Sequence, residues 1–156
     1  MAVALREELK KRDPFSSVEQ EAMLAIMRTS DLLENRLARL LREYGLTLSQ
    51  YNVLRILRGE GKPLPCLEVA ERMIQVAPAI TRVVDQLLAL DLISKTQSAE
   101  DRRIFTIELK PAAIQLLSTL DQPVLDLHAS LMNGVKKADL KSLIQTLEGV
   151  RAAVNP

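Results

Sequence analysis

The stretch AITRVVDQLLALDLISKTQSAEDRRIFTIEL, residues 79–109, decides the fold because helical and strand-like periodicity follow one another within it. In its first part the apolar residues recur every three to four positions, which predicts a helix that ends at about Leu90. The segments LISKTQ and RIFTIEL then predict two strands, and the second alternates strictly between apolar and polar residues. Turn-forming residues lie between them, from Ser98 to Asp101. The sequence therefore predicts a helix followed directly by a β-hairpin with Asp-Arg-Arg at or near its tip.

A shorter helix is predicted just before this stretch, from about Leu67 to Met73. A turn at residues 74–76 separates it from the longer helix, and Pro78 fits the first helical turn, where its missing N–H would be unpaired in any case. Two short helices joined by a tight turn form a helix-turn-helix, so the hairpin is predicted to be a wing. An arginine in a wing can enter the minor groove of DNA while the second helix lies in the adjacent major groove. The alternative is a solvated turn with an internal ion pair.

Amphipathic helices are predicted on both sides of this core. Apolar residues recur at threes, fours and sevens along residues 17–44, and residues 112–131 and 137–154 show helical patterns as well. Pro111 can begin the first of the two C-terminal helices, and Pro123 is expected to bend it. These helices have more apolar surface than a small winged core can cover. The simplest use of that surface is a two-fold dimer interface.

The segment LTLSQY contains an unusually complete signal for the start of a helix. The side chain of Thr47 can cap the helix while Gln50, three residues on, reaches back to the backbone. Leu46 and Tyr51 stand where a hydrophobic staple would place them. The helix is expected to end before GEGKPLP, whose glycines and prolines predict a loop.

Composition narrows the class of protein. The chain has 156 residues, 47% of them hydrophobic and 26% charged, with a net charge of +1, which is typical of a globular protein and does not by itself indicate a nucleic-acid partner. No apolar run could span a membrane and the N-terminus does not look like a secretion signal, so a cytoplasmic location is expected. With one cysteine and one histidine, we expect no internal disulfide, no metal site and no cofactor.

Four segments in order, LTLSQYNVLRIL, LEVAERM, AITRVVDQLLALDLISK and the Asp-x-Arg motif within DRR, carry a resemblance. Together they resemble the winged-helix core of the multiple-antibiotic-resistance regulator (MarR) family of bacterial transcription factors. The resemblance implies a mainly α fold with a small β-hairpin wing. It places N-terminal dimerisation helices at residues 1–45, a winged helix-turn-helix core at 46–110, and C-terminal dimerisation helices at 111–156.

The same resemblance implies a function. It implies a homodimer, more often a repressor, whose two recognition helices fall about one DNA turn apart and read a pseudo-palindrome in double-stranded DNA. A small ligand would release the DNA by shifting the spacing of the two heads. The family's pocket commonly lies between the dimer helices and the winged core and often takes aromatic or phenolic acids. The walls of that pocket are predicted to include Met23, Met27, Tyr44 and Tyr51, although such residues at helical spacing are more often plain core.

By resemblance, Asp101 orients the wing, Arg103 is the minor-groove arginine and Arg102 contacts a phosphate. Period-two alternation, however, would place Arg103 on the same side of its strand as Phe105. The recognition helix departs from the family, because Val76 stands where a polar cap is usual and side chains that cannot hydrogen-bond a base follow it. Those side chains can still contact a thymine methyl group, so base readout is expected mainly from other residues. The predicted helix contacts are Gln75, Ala77, Pro78, Thr81 and Arg82, and the competing interpretation of Arg82 is an exposed cation paired with a carboxylate.

Cys66 is the remaining candidate functional residue. A thiol in the first turn of a helix is expected to have a lowered pKa, which would suit a peroxide or electrophile sensor. The competing interpretation is a small, half-buried residue that fills space beside Leu64 and Leu67.

Two other classes of function remain open. The protein could keep the winged fold as a ligand- or protein-binding module without sequence-specific DNA binding, which near-neutral charge favours slightly. An enzyme is the least favoured class, since the sequence has no glycine-rich phosphate loop and no clustered acid/base pair.

Overall fold

The computed structural model describes residues 2–75 and 79–155. The chain divides after Gln122 into two compact units. The elements in chain order are α1 (Leu5–Glu8), α2 (Val18–Glu43), α3 (Leu48–Glu60), β1 (Leu64–Pro65), α4 (Cys66–Glu71), α5 (Ile80–Ala89), β2 (Ile93–Gln97), β3 (Phe105–Leu109), α6 (Pro111–Leu131) and α7 (Lys137–Val154).

The long helix α2 and its end agree with the sequence-based prediction. The Ser17 side chain accepts a hydrogen bond from the backbone N–H of Gln20 at 3.1 Å and so caps the first turn. Gly45, in the left-handed conformation at φ 76°, follows the last turn. Of all the α2 side chains only Leu41 is buried. Several of its other apolar side chains, among them Met23, Ile26 and Met27, are exposed in the single chain.

The start of α3 is the capping box that the sequence predicts. The Thr47 hydroxyl oxygen accepts a hydrogen bond from the backbone N–H of Gln50 at 3.2 Å, and the side-chain oxygen of Gln50 accepts one from the backbone N–H of Thr47 at 3.0 Å. Leu46 and Tyr51, the two predicted staple residues, are 4% and 8% exposed. The entry of the chain into α3 is thus fixed by both polar and apolar contacts.

A three-stranded antiparallel sheet in the order β1-β3-β2 forms the wing and its base. The sequence predicted only two of these strands. The third, β1, pairs Leu64 with Ile107 and Pro65 with Thr106, within a segment whose glycines and prolines predicted a loop. Proline is tolerated there because β1 lies at the edge of the sheet, where its missing N–H breaks no ladder.

The helix-turn-helix packs on this sheet through one shared core. Helix α3 packs against α5 and β3, and α4 packs against α5. The predicted apolar stripe of α5 is confirmed, since its inward side chains are buried together with those of its neighbours. Side chains of this core that are no more than 2% exposed include Leu54, Leu57, Val69, Val84, Leu87 and Ile107.

Two helix boundaries differ from the prediction. Helix α4 runs from Cys66 to Glu71, so it starts one residue earlier and ends sooner than expected. Helix α5 begins at Ile80, because Ala79 has a left-handed backbone at φ 39° and is not helical as predicted. The predicted place of Pro78 in the first helical turn lies outside the described residues.

The second unit, residues 123–155, contains the end of α6 and all of α7. Both C-terminal helices have the predicted bounds within one residue, and Pro111 is the first residue of α6. Pro123 lies inside α6, and the bend expected there stays a prediction. No residue of α7 is buried. Among the described helices, none combines the length and apolar character needed to span a lipid bilayer.

Candidate nucleic-acid interface

Helix α5 has one buried face and one free face. Val83, Val84 and Leu87 are buried, whereas Thr81 and Arg82 are exposed. Arg82 forms no salt bridge with any residue that the structure describes, so its alternative interpretation as a paired surface cation finds no partner there. An unpaired guanidinium on the free face of a recognition helix can donate to guanine or to a phosphate.

A hydrogen bond from α3 holds the second turn of α5. The Gln50 amide nitrogen donates to the Gln86 side-chain oxygen at 3.0 Å. The sequence predicts only a capping role for Gln50 and no role for Gln86. The two residues are 36 positions apart in the sequence and meet because α3 packs against α5. No local sequence pattern predicts that contact.

The wing tip, residues 98–104, is a closed loop. The backbone N–H of Ser98 donates to the Ile104 carbonyl at 2.8 Å, and the N–H of Ile104 donates to the Asp101 carbonyl at 3.0 Å. The Gln97 side chain donates to the Arg102 carbonyl at 2.6 Å. These bonds satisfy backbone groups that the short strands leave unpaired and give the tip a defined shape.

Asp101 holds Arg103 through three hydrogen bonds. One carboxylate oxygen accepts from the backbone N–H of Arg103 at 3.0 Å and from its Nε at 3.1 Å, and the other accepts from Nη2 at 3.1 Å. The hydrogen bonds from the Arg103 side chain, and then the one from its backbone, lower the pKa of Asp101. The Arg103 side chain nevertheless remains 90% exposed. The carboxylate thus orients the arginine without removing it from solvent.

This geometry corrects the predicted length of the second wing strand. β3 begins at Phe105 rather than Arg103, because the Ile104 N–H bonds within the loop and Asp101 captures the Arg103 backbone. A short acidic side chain that bonds a nearby backbone N–H competes with the ladder in this way. The alternation that placed Arg103 beside Phe105 therefore stops before it reaches Arg103.

A half-open groove of about 420 Å³ separates the wing from the helix-turn-helix. Within it the Lys95 ammonium lies 4.4 Å from the centre of the Phe105 ring, a cation–π contact. Helices α4 and α5 and the wing all contribute to its walls. Lining residues include Cys66, Leu67, Thr81, Lys95, Arg103 and Phe105.

Cys66 is the first residue of α4 and is half-buried in this groove. Burial raises the pKa of its thiol, and this effect exceeds the lowering by the Lys95 charge and by hydrogen bonding to the backbone. The lowered pKa expected from the helix terminus is therefore wrong in direction. Desolvation disfavours the thiolate more strongly here than the Lys95 charge and the backbone hydrogen bond favour it.

Salt bridges hold α3 to the elements on either side. Both guanidinium nitrogens of Arg58 donate to Asp121 of α6, at 3.0 and 2.7 Å. Arg72, just after α4, donates to Glu60 of α3 at 2.7 Å and to Glu68 of α4. These pairs lower the pKa of Glu60 and of Asp121. The Arg72–Glu60 pair joins the end of α4 to α3, and α4 in turn packs against the recognition helix.

Both the sequence and the fold of this chain match those of known proteins. Residues 46–105 match the model of the MarR family. A MarR transcription factor from Planctomyces limnophilus is 32% identical, with 86% of this chain and 98% of that one covered and a TM-score of 0.67. The chain belongs to the MarR family. The family's winged-helix fold, inferred above from four short segments, is thereby confirmed.

More distant MarR-like structures share the fold. A regulator described as organohalide-sensing, solved with 2,4-dichlorophenol bound, has a TM-score of 0.81 at 18% identity, with 92% of this chain and 87% of that one covered. The S. aureus MepR–DNA complex has a TM-score of 0.74 at 16% identity, with 84% of this chain and 96% of that one covered. At these identities the likeness concerns the fold alone.

The residues predicted for the MarR ligand pocket lie in different surroundings. Tyr51 is 8% exposed within the winged core, while Met23 and Met27 on α2 are 58% and 60% exposed. Tyr44, directly after α2, is half-buried. A separate cavity of about 520 Å³ lies where α2 meets α3. Its lining residues are Ala38, Arg42, Gly45, Leu46, Thr47, Leu48 and Ser49.

The remaining predicted DNA contacts precede α5. Gln75 is half-buried in the bend after α4. Ala77 and Pro78 lie outside the described residues.

Proposed function

We propose that this MarR-family protein is a homodimeric transcriptional repressor that binds a pseudo-palindromic operator and leaves it when a small ligand binds. The observation that carries the proposal is the wing tip, where Asp101 holds a 90% exposed Arg103. A fixed, solvent-exposed arginine next to a helix with an exposed Thr81 and Arg82 is the arrangement that paired minor-groove and major-groove contacts require. The fold neighbour MepR, solved with DNA, supports it.

Each contact has a distinct role in this proposal. Thr81 and Arg82 read base edges in the major groove, and Gln75 assists from the turn. Ala77 and Pro78 contact thymine methyl groups. In the wing, Arg103 enters the minor groove and Arg102, whose carbonyl is tied to Gln97, contacts a neighbouring phosphate.

The exposed apolar residues of the terminal helices support the homodimer. No residue of α7 is buried, and α2 exposes apolar side chains along much of its length. Exposed apolar helix faces of this kind mark an interface, and a two-fold axis would present two wings and two recognition helices to a palindrome. The exposed apolar side chains are Val18, Met23, Ile26, Met27 and Leu32 of α2 and Leu143, Ile144, Val150 and Val154 of α7.

We propose a phenolic or aromatic effector for this protein. The organohalide-sensing neighbour holds a dichlorophenol, which supports an effector of this chemistry. Met23 and Met27 become pocket walls only when a partner helix covers them, whereas Tyr44 and Tyr51 belong to the winged side. A ligand held between the dimer helices and the winged core acts by favouring one spacing of the two heads.

The decisive experiment is selection of binding sites from random duplex DNA by the full chain, repeated with Arg82→Ala and Arg103→Ala. We expect an A·T-rich pseudo-palindrome that either substitution weakens or abolishes. Arg12→Ala removes one positive charge from an exposed position before α2 and is the matched control. Enrichment that survives both substitutions would contradict the assigned contacts.

One observation favours the alternative of a winged module without sequence-specific DNA binding. The net charge is only +1, which gives little general attraction to nucleic acid. Phosphate contacts release counterions, so DNA affinity that falls steeply with salt supports the repressor. Absence of any enriched duplex supports the module.

A further inference from the structure

A directed chain of hydrogen bonds joins the start of α3 to the recognition helix. It begins at the backbone N–H of Thr47, which donates to the Gln50 side-chain oxygen at 3.0 Å. It continues from the Gln50 amide nitrogen to the Gln86 side-chain oxygen at 3.0 Å. Gln50 is 7% exposed, so both of its bonds are shielded from competing water.

The donor-to-acceptor direction of these hydrogen bonds follows from the backbone. An N–H group can only donate, so the side-chain atom of Gln50 that faces Thr47 must be its oxygen. The nitrogen of the same amide is then the atom left to face Gln86, and a nitrogen can only donate there. Gln86 must therefore accept this hydrogen bond with its side-chain oxygen. One backbone N–H thus fixes the amide orientation of two successive glutamines.

Gln86 is left with its amide nitrogen for an outside partner. This nitrogen donates to no acceptor in the described part of the chain, and the side chain is half-buried rather than enclosed. Gln86 lies one helical turn beyond Arg82, so the two share a face of α5. Because the first turn of a recognition helix approaches base edges, a residue two turns into the helix lies nearer the DNA backbone.

We propose that Gln50 is a positioning residue that presents the Gln86 amide N–H to a phosphate oxygen of bound DNA. The inference rests on the proposed function, since it needs a DNA-bound α5. Its chemistry is specific, because a phosphate oxygen is an acceptor and the fixed orientation offers it a donor. The reversed amide would offer an oxygen and repel the phosphate.

Gln50→Glu tests the positioning role without removing the cap. Glutamate is as good as glutamine at this position of a capping box, so it still accepts from the Thr47 N–H. It cannot donate to Gln86, which then turns its nitrogen inward and its oxygen outward. We expect Gln50→Glu and Gln86→Ala each to weaken affinity for a wild-type-selected duplex by about three- to tenfold at matched salt. In the Gln86→Ala background, Gln50→Glu should have little further effect.

Ser49→Glu is the charge control, since it adds the same carboxylate to the neighbouring position of the same helical turn. It should weaken binding less than Gln50→Glu does. Thermal unfolding of each variant checks that the fold is retained. Because a phosphate contact carries no sequence information, Gln50→Glu and Gln86→Ala should each lose the same factor of affinity on selected and on unselected duplexes.

Three results would overturn the inference. They are wild-type affinity in Gln50→Glu, an equal loss in Ser49→Glu, or a loss in Gln50→Glu that persists fully in the Gln86→Ala background. In each of these the wild-type protein still binds its duplex. A wild-type protein that binds no duplex would instead refute the proposed function, and the phosphate contact with it.

Discussion

Asp101 and Arg103 show how much of a DNA contact can be prepared before DNA arrives. Three hydrogen bonds fix the arginine while 90% of its side chain stays exposed. Because the ion pair is solvated, its contribution to folding is small, and its value lies in the orientation of the guanidinium. Sequence alone predicted that Asp101 orients the wing by resemblance, and the structure supplies the contacts through which it can do so.

Arg103→Ala should weaken DNA binding by about tenfold, since one charge-assisted contact is lost. The free energy of unfolding should stay nearly unchanged because the side chain is exposed. Titration of a selected duplex at matched salt, with chemical denaturation in parallel, measures both. Arg103→Lys keeps the positive charge but not the planar guanidinium group, so its affinity for DNA should lie between those of the wild type and Arg103→Ala. Unchanged affinity in the alanine variant would remove the wing from the mechanism.

The pKa of Asp101 offers a second test. It is lowered by its hydrogen bonds from Arg103, so the pair is complete above the ordinary aspartate pKa and is lost as pH falls through the lowered value. In Arg103→Ala the pKa should rise, though the backbone N–H still holds it down in part. Carbon-13 NMR titration of the Asp101 carboxyl measures this, with Asp121 as an internal reference. An identical titration in the variant would contradict the geometry.

Cys66 is expected to react slowly, because burial raises the pKa of its thiol and leaves little thiolate at neutral pH. The rate with iodoacetamide at pH 7 should be below that of a cysteine in an unstructured peptide. The sensor role stays a prediction. If peroxide releases DNA from the wild type and no longer does so from Cys66→Ser, the role would be established despite the raised pKa.

At the scale of elements, α5 depends on a few fully buried side chains. Leu87 is 0% exposed, so Leu87→Ala should lower the free energy of unfolding by about 2–5 kcal/mol through lost burial and a residual cavity. Asp85→Ala, on the exposed side of the same helix, should change it by less than about 0.5 kcal/mol. Urea denaturation compares the two. Similar losses in both would mean that the free face of α5 also packs.

The helices that sequence predicts best are those with both periodicity and a local stop or start signal. The Thr47 and Gln50 capping box depends on neighbours within three residues, so it was predicted correctly. β1 was missed because Leu64 and Pro65 are recruited by a strand some forty residues away along the chain, as the pairing of Leu64 with Ile107 shows. Likewise the Gln50–Gln86 bond depends on tertiary packing and leaves no local pattern.

At the scale of the whole molecule, the proposed dimer rests on apolar side chains that a single chain leaves exposed. Leu143 and Ile144 of α7 are 48% and 55% exposed. Leu143→Glu combined with Ile144→Glu should convert the dimer to monomers, because the interface would bury unpaired charges. Sedimentation measures the mass. Lys141→Glu, exposed on the same helix, is the matched control and should leave the dimer intact. Monomeric wild-type protein would contradict the proposal.

The register of the small sheet has a mechanical consequence. β3 is flanked on both sides only at Thr106 and Ile107, whereas from Phe105 outward it is paired with β2 alone. The segment that leads into α4 therefore holds β3 close to the wing tip, and only the Gln97–Phe105 pair and the closed loop of residues 98–104 project beyond it. Pairing on both sides restrains the twist of β3 more than a two-stranded ribbon would. The wing should therefore act as a short, stiff lever, so that a movement of the segment before α4 also shifts the loop that holds Arg103.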